Sequence, residues 1–311
     1  MPLPRRLKAD IALAAVSFVW GATFVVIKNA LADASPLVFV FLRFALASGV
    51  LLAIFGRRDS LRQPGVPWAG ALIGFFLCAG YVFQTAGLEF TTPAKSAFIT
   101  ALSVVLVPLV LVLFFRHRLR LWTLVGVGVA VVGLFFLTVP PGEFTIGRGD
   151  LMTLACALAF TGHIVAVGHY APRYGVGGLA VWQVAAALGW AALAAPLAGV
   201  TGLETLRLNW TPGLAMALVI SAVLATAVAF SVQTWAQQFT PSTHTAIIYS
   251  LEPVFAALTS YVVVGERLGS RGLLGAGLIL AGVLLAELWP KPHPDVPGMP
   301  APANPSEADG V

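Results

Sequence analysis

Charge is what this sequence has least of. Only 10% of its 311 residues are Asp, Glu, Lys or Arg, against about 25% in a soluble domain. A chain that is also 59% hydrophobic cannot cover a soluble surface, so a membrane must be the solvent for most of it. Cysteine is nearly missing too: Cys78 and Cys156 both sit inside apolar runs, which excludes a disulfide framework and a thiolate metal site. No glycine-rich phosphate loop, zinc-ligand spacing or nucleophile elbow occurs. No cofactor, metal or catalytic residue is therefore expected, and the chain reads as a non-enzyme. The net charge is +5, but the basic residues lie in short connectors. They form no run and no aromatic interleaving of the kind that tracks a phosphate backbone, which argues against a nucleic-acid partner.

A spanning helix needs about 20 mostly apolar residues. Ten stretches qualify: 9–31, 36–55, 67–88, 94–115, 120–139, 150–170, 178–199, 211–235, 242–264 and 270–289. The apolar run behind Arg5, Arg6 and Lys8 is longer than the roughly 7–15 residues of a signal-peptide core and has no small-x-small cleavage site, so it reads as the first span. Residues 290–311, rich in Pro, Ala and acidic side chains, cannot bury a core and read as a disordered tail. Eleven Lys and Arg fall in connectors on the N-terminal side and five on the opposite side. Basic residues concentrate on the cytoplasmic side, so both termini are expected in the cytoplasm and the chain in a bacterial inner (plasma) membrane, with lipid as its surroundings.

The chain repeats itself. Gln84-Thr85 returns as Gln233-Thr234, an offset of 149, and the same offset aligns Phe90-Thr91 with Phe239-Thr240, Arg118-Leu119 with Arg267-Leu268, and the glycines 126, 128 and 133 with 275, 277 and 282. Earlier spans match at an offset of 140: Asp10 with Asp150, Trp20 with Phe160, Thr23 with His163, Arg43 with Gln183. Residues 1–140 and 141–289 thus read as two copies of five spans, and an odd number of spans inverts the second copy. The expected fold class is an all-α membrane protein, ten transmembrane helices in two inverted five-helix repeats around a central cavity.

Polar side chains in lipid are costly and face a bundle interior or a wet cavity. Ser96, Thr100 and Ser103 share one face of the fourth span, and Thr245, Tyr249 and Glu252 repeat that spacing in the ninth. Both stripes are expected to line the cavity, the alternative being helix packing with hydroxyls bonded to carbonyls. Glu252 is the one acidic residue well inside a span. It would hold a substrate ammonium, carry a proton if one is coupled, or serve as a structural hydrogen-bond partner. His163 is the other deep titratable group near neutrality, either at the cavity or a satisfied core histidine. Gln84 and Gln233 join the wall, and an aromatic set of Trp20, Tyr81 and Tyr249 suits an apolar or aromatic substrate. Thr92-Pro93 and Thr240-Pro241 look like helix starts capped by threonine. Lys95 and His244 align at those two starts on opposite faces, as gate or entrance positions. Arg43 reads as structural, and the glycines of the fifth and tenth spans as close-packing positions that tie the halves or serve a dimer.

Trp20-Gly21-Ala22-Thr23-Phe24, Pro36 with Phe41-Leu42-Arg43, and Leu251-Glu252-Pro253 with Gly265-Glu266-Arg267-Leu268 resemble the EamA-type drug/metabolite transporters over residues 9–289. The resemblance implies a ten-helix inverted-repeat carrier of small metabolites, often an exporter of amino acids or related compounds. The first repeat departs from the pattern, with Ser103-Val104 where the second has Glu252-Pro253 and His117 where it has Glu266. The function expected is a secondary transporter of neutral or aromatic amino acids working by alternating access. The alternatives are a membrane-embedded enzyme using His163 and Glu252 as an acid–base pair and an assembly subunit.

Overall fold

The computed structural model describes residues 4–117, 121–139, 146–264 and 269–288. The Gly265–Leu268 motif and the tail lie outside these residues. Among them the structure is helical, apart from one isolated antiparallel bridge between Ala34 and Leu208. In chain order come α1 (Arg5–Ala30), α2 (Pro36–Phe55), a short 3₁₀ turn (Asp59–Arg62), α3 (Val66–Phe90), α4 (Pro93–Ala101) running into α5 (Ser103–Phe115), and α6 (Leu121–Thr138). The second half has α7 (Arg148–Tyr170), α8 (Val176–Thr201), α9 (Pro212–Val219) continuing through a π-helical stretch (Ile220–Val228) into α10 (Ala229–Ala236), then α11 (Ser242–Tyr249), α12 (Glu252–Val264) and α13 (Ser270–Leu288). Among the described residues seven runs are long and apolar enough to cross a membrane, and Leu121–Leu137 and Ser270–Leu285 are shorter apolar helices. Large apolar side chains such as Leu113, Phe114 and Leu193 point outward, as a lipid-facing surface requires.

The packing obeys the inverted repeat. Helix α3 packs on α7 and α8, and its counterpart, the α9–π–α10 run, packs on α1 and α2. Helix α4 meets α7 as α11 meets α1, and α5 meets α7 as α12 meets α1. Helices α6 and α13, expected from the sequence as the fifth and tenth spans, pack on each other, and here the glycines divide. A Cβ at Gly275 would stand 2.4 Å from the Leu137 nitrogen, and one at Gly133 would stand 2.7 Å from the Gly275 carbonyl, whereas Gly128 and Gly277 face open space. These glycines therefore bind one half to the other within the chain, by backbone contact that any side chain would break.

Two of the expected continuous spans are broken. The fourth bends at Leu102 and the ninth at Ser250–Leu251, so that Ser103 and Glu252 each open a new helix. These positions correspond at the 149-residue offset. Pro253 lacks the N–H needed to continue the ninth span's ladder, and Pro108, one turn into α5, leaves the Val104 carbonyl without its helical donor. Broken helices at mid-membrane are tolerated where they line a cavity.

Candidate functional site: a cavity between the two repeats

The breaks open onto a cavity between the halves. From the first half it is lined by Trp20, Thr23, Phe24, Ile27, Arg43, Tyr81, Gln84, Thr100, Ala101 and Ser103. From the second come Phe160, His163, Ile164, Phe230, Gln233, Tyr249 and Glu252. Its volume is about 50 Å³, against roughly 10–15 Å³ for a single water, which is room for a few waters. The nine residues expected at the cavity from the sequence are all brought together here. Ser96 and Thr245, the outer members of the two stripes, are not: both are fully buried, and Thr245 bonds the Pro241 carbonyl. The bends displace those first turns from the wall that a straight helix would have shared.

Each wall residue is fixed by a distinct contact. Gly21 lets α1 lie against α12: a Cβ there would stand 2.5 Å from the Glu252 carbonyl. That puts Trp20 beside Glu252, and the indole packs at 4.9 Å from the Tyr249 ring and donates to the Ala225 carbonyl at 2.9 Å. Gln84 donates to Thr100 at 3.3 Å and ties α3 to α4. Gln233 instead donates to Gln237 at 2.8 Å, which donates to the Ile164 carbonyl at 3.0 Å. His163 pairs with Gln183 at 3.0 Å, and Gln183 donates to Thr234 at 3.0 Å. His163 and Glu252 share the cavity with no hydrogen bond between them. The Glu252 carboxylate has no hydrogen bond or ion pair among the described residues; its place in the first turn of α12 sets it in the favourable field of a helix N-terminus.

Arg43 is the residue that sequence reasoning set aside. It is bonded in place, as expected, but it is also a wall of the cavity. Nε donates to Thr226 at 2.7 Å, and Nη2 donates to the Tyr81 hydroxyl at 2.9 Å and the Ala225 carbonyl at 3.0 Å. The guanidinium carbon lies 4.0 Å from the Tyr81 ring centroid. Both Thr226 and Ala225 belong to the π-helical stretch, whose wider turn presents the Ala225 carbonyl to Trp20 and Arg43 together. Such π segments are frequent at functional sites. Nothing in Ile220–Val228 announces one, and the equivalent part of α3 is regular helix.

Each end of the molecule carries a clasp between the halves. On the face where α3 ends and α7 begins, the Asp150 carboxylate takes Lys95 Nζ at 2.6 Å, the Thr91 hydroxyl at 2.9 Å and the Gly147 N–H at 2.7 Å. On the face that holds the start of α1, Asp10 takes the Thr240 hydroxyl at 2.6 Å and Arg6 Nε at 3.8 Å, while Arg6 Nη2 bonds His244 Nδ1 at 2.8 Å. Asp10 and Asp150, Thr91 and Thr240, and Lys95 and His244 are repeat equivalents, so one device appears twice with inverted orientation. One expectation is corrected. Thr92 caps α4 through the Lys95 N–H, but Thr240 does not cap α11, where Pro241 is the boundary residue. Its hydroxyl is turned across the interface to Asp10.

The model of the EamA-like transporter family matches residues 7–139 and again 147–288. An uncharacterized transporter of Archaeoglobus fulgidus is 37% identical over 91% of this chain and 87% of its own. A Salmonella typhimurium protein named a probable amino-acid metabolite efflux pump is 27% identical, over 87% of this chain and 91% of its own. A solved crystal structure superposes with TM-score 0.73 at 20% identity, covering 90% of this chain and 96% of that one, a likeness of fold alone.

Proposed function

The chain belongs to the EamA-like transporter family, and from that premise we propose that it is a secondary carrier exporting neutral or aromatic amino acids by alternating access. One observation carries the reading: a cavity is walled by both inverted halves, and an equivalent clasp joins the halves at each end of the molecule. Substrate sites in inverted-repeat carriers lie at such mid-membrane junctions of broken helices. The aromatic wall suits an apolar side chain, and the name borne by the Salmonella relative points to the same chemistry. The Lys95–Asp150–Thr91 clasp and the Arg6–His244–Asp10–Thr240 clasp are the two gates, opened in turn. If a proton is exchanged for substrate, Glu252 is its carrier, because it is the cavity carboxylate without a bonded partner among the described residues. The N-terminal face is taken as cytoplasmic from its excess of basic residues.

The test is release of labelled amino acids from proteoliposomes. Saturable efflux of several neutral or aromatic amino acids is expected. If a broad panel of metabolites shows no flux while Glu252→Gln abolishes some chemical turnover, the carrier reading gives way to a membrane-embedded enzyme.

A further inference from the structure

Resting on the carrier reading, we infer that Arg43 and Glu252 together form a zwitterion site, Arg43 taking the substrate carboxylate and Glu252 its ammonium. Two ionisable side chains of the cavity lack a counter-ion among the described residues. Arg43 is only 1% exposed, yet each group it bonds is neutral: a threonine hydroxyl, a tyrosine hydroxyl and a backbone carbonyl. Its Nη1 makes no hydrogen bond among the described residues and belongs to a side chain that lines the cavity. Glu252 is 9% exposed and lines the same cavity without a bonded donor. A buried charge with no counter-ion is strongly unfavourable, and the simplest relief would be for the two to pair with each other. They do not, and no ion pair among the described residues includes either.

The fold keeps them apart from opposite sides. Arg43 on α2 is anchored to the π-helical stretch by two bonds and to Tyr81 on α3 by a third. Glu252 is held on α12, whose backbone is locked against α1 at Gly21. A ligand carrying one charge would satisfy one side and leave the other. A ligand carrying both, with an apolar body to lie among Trp20, Tyr81, Phe160, Phe230 and Tyr249, satisfies both at once. The two N–H groups of Nη1 are the donors left over for a carboxylate, which accepts strong charge-assisted hydrogen bonds.

The experiment is competition against labelled L-leucine and L-phenylalanine on the purified full-length protein, which measures binding separately from flux. Three competitors are used for each: the amino acid, its amide, which lacks the carboxylate, and its deamino acid, which lacks the ammonium. In the unmutated protein both analogues are expected to compete at least roughly tenfold more weakly than the parent, the size of one lost charge-assisted hydrogen bond. Arg43→Gln should weaken the amino acid and cease to discriminate against the amide, while still rejecting the deamino acid. Glu252→Gln should show the reverse. A purely structural arginine would lower affinity for all three competitors alike, and that result overturns the assignment. If Arg43→Gln fails to fold, the unmutated protein and Glu252→Gln still decide: equal binding of amino acid and amide to the unmutated protein overturns it, as does failure to bind either amino acid. Binding with this pattern but no proteoliposome flux would sink the carrier reading and leave the zwitterion site standing.

Discussion

Weakening one clasp should bias the molecule toward opening on that face. Lys95→Met removes the ion pair to Asp150 and leaves the Thr91 and Gly147 bonds to the same carboxylate in place. A hydrogen bond to a charged group contributes about 1.5–3 kcal/mol when buried. The Lys95 side chain is 28% exposed against 7% for Asp150, so solvent screening lowers the figure toward that of a surface pair, to about 1–2 kcal/mol. A shift of that size changes the ratio of two conformations by roughly 5- to 30-fold. The reporter is Ser103→Cys in a background with Cys78 and Cys156 replaced by Ala, labelled by a membrane-impermeant thiol reagent from either side of oriented vesicles. Labelling from the Lys95 face should rise by about that factor, and labelling from the face bearing Arg6 should fall. Asp10→Asn should give the mirror result. Unchanged labelling from the Lys95 face, or equal increases from both faces, would show that the clasp brackets the fold without gating it.

Thr100→Trp should abolish transport with little change in melting temperature, because Thr100 lines a cavity of only about 50 Å³; normal flux through this variant would remove α4 from the pathway. Wherever transport depends on pH, Glu252→Gln should flatten that dependence, and identical pH profiles in variant and parent would take Glu252 out of any proton exchange. Gly275→Val should lower the melting temperature by several degrees, since its Cβ would meet the Leu137 nitrogen at 2.4 Å and overpacking of this kind costs about 1–3 kcal/mol. Gly277→Ala, with nothing within 4 Å of its Cβ, should be neutral or slightly stabilising, and equal losses at both glycines would refute the assigned packing.

The repeat made the cavity wall legible because polar side chains in an apolar chain are few and each must be satisfied somewhere. Gln84, Gln233, Tyr249 and Glu252 could be assigned to one wall for that reason. The breaks were less legible. Pro253 signals one, but Leu102 carries no such mark, and a straight helix wrongly carried Ser96 and Thr245 to the wall. The π-helical stretch was invisible, since Ile220–Val228 is small and apolar like any buried helix. Arg43 was legible as a structural arginine but not as a cavity wall, because only the bonds to Thr226 and Ala225 show which way it points. The pairing of Thr240 with Asp10 needed the third dimension, because Thr240-Pro241 looks like a helix start to any local reading.

The two halves agree in architecture and differ in charge. Position for position, Arg43 stands where the second half has Gln183, and Glu252 stands where the first half has Ser103. In each case the neutral partner is occupied locally or uncharged: Gln183 is bonded to His163 and Thr234, and Ser103 opens α5 without a side-chain cap. Each repeat therefore supplies one charge, of opposite sign, from non-equivalent positions. The clasps show the opposite pattern, with Asp10 and Asp150 and their threonines retained in both halves. An inverted duplicate needs equivalent gates for its two states to be close in energy, but a cavity that recognises an asymmetric molecule cannot itself be two-fold symmetric. Restoring the symmetry should accordingly damage selectivity before it damages cycling. Glu252→Ser, which copies the first half's residue into the second, is expected to leave the clasps and the fold intact while the preference for amino acid over deamino acid collapses. Retention of that preference in a folded Glu252→Ser protein would mean that the charge asymmetry has no part in recognition.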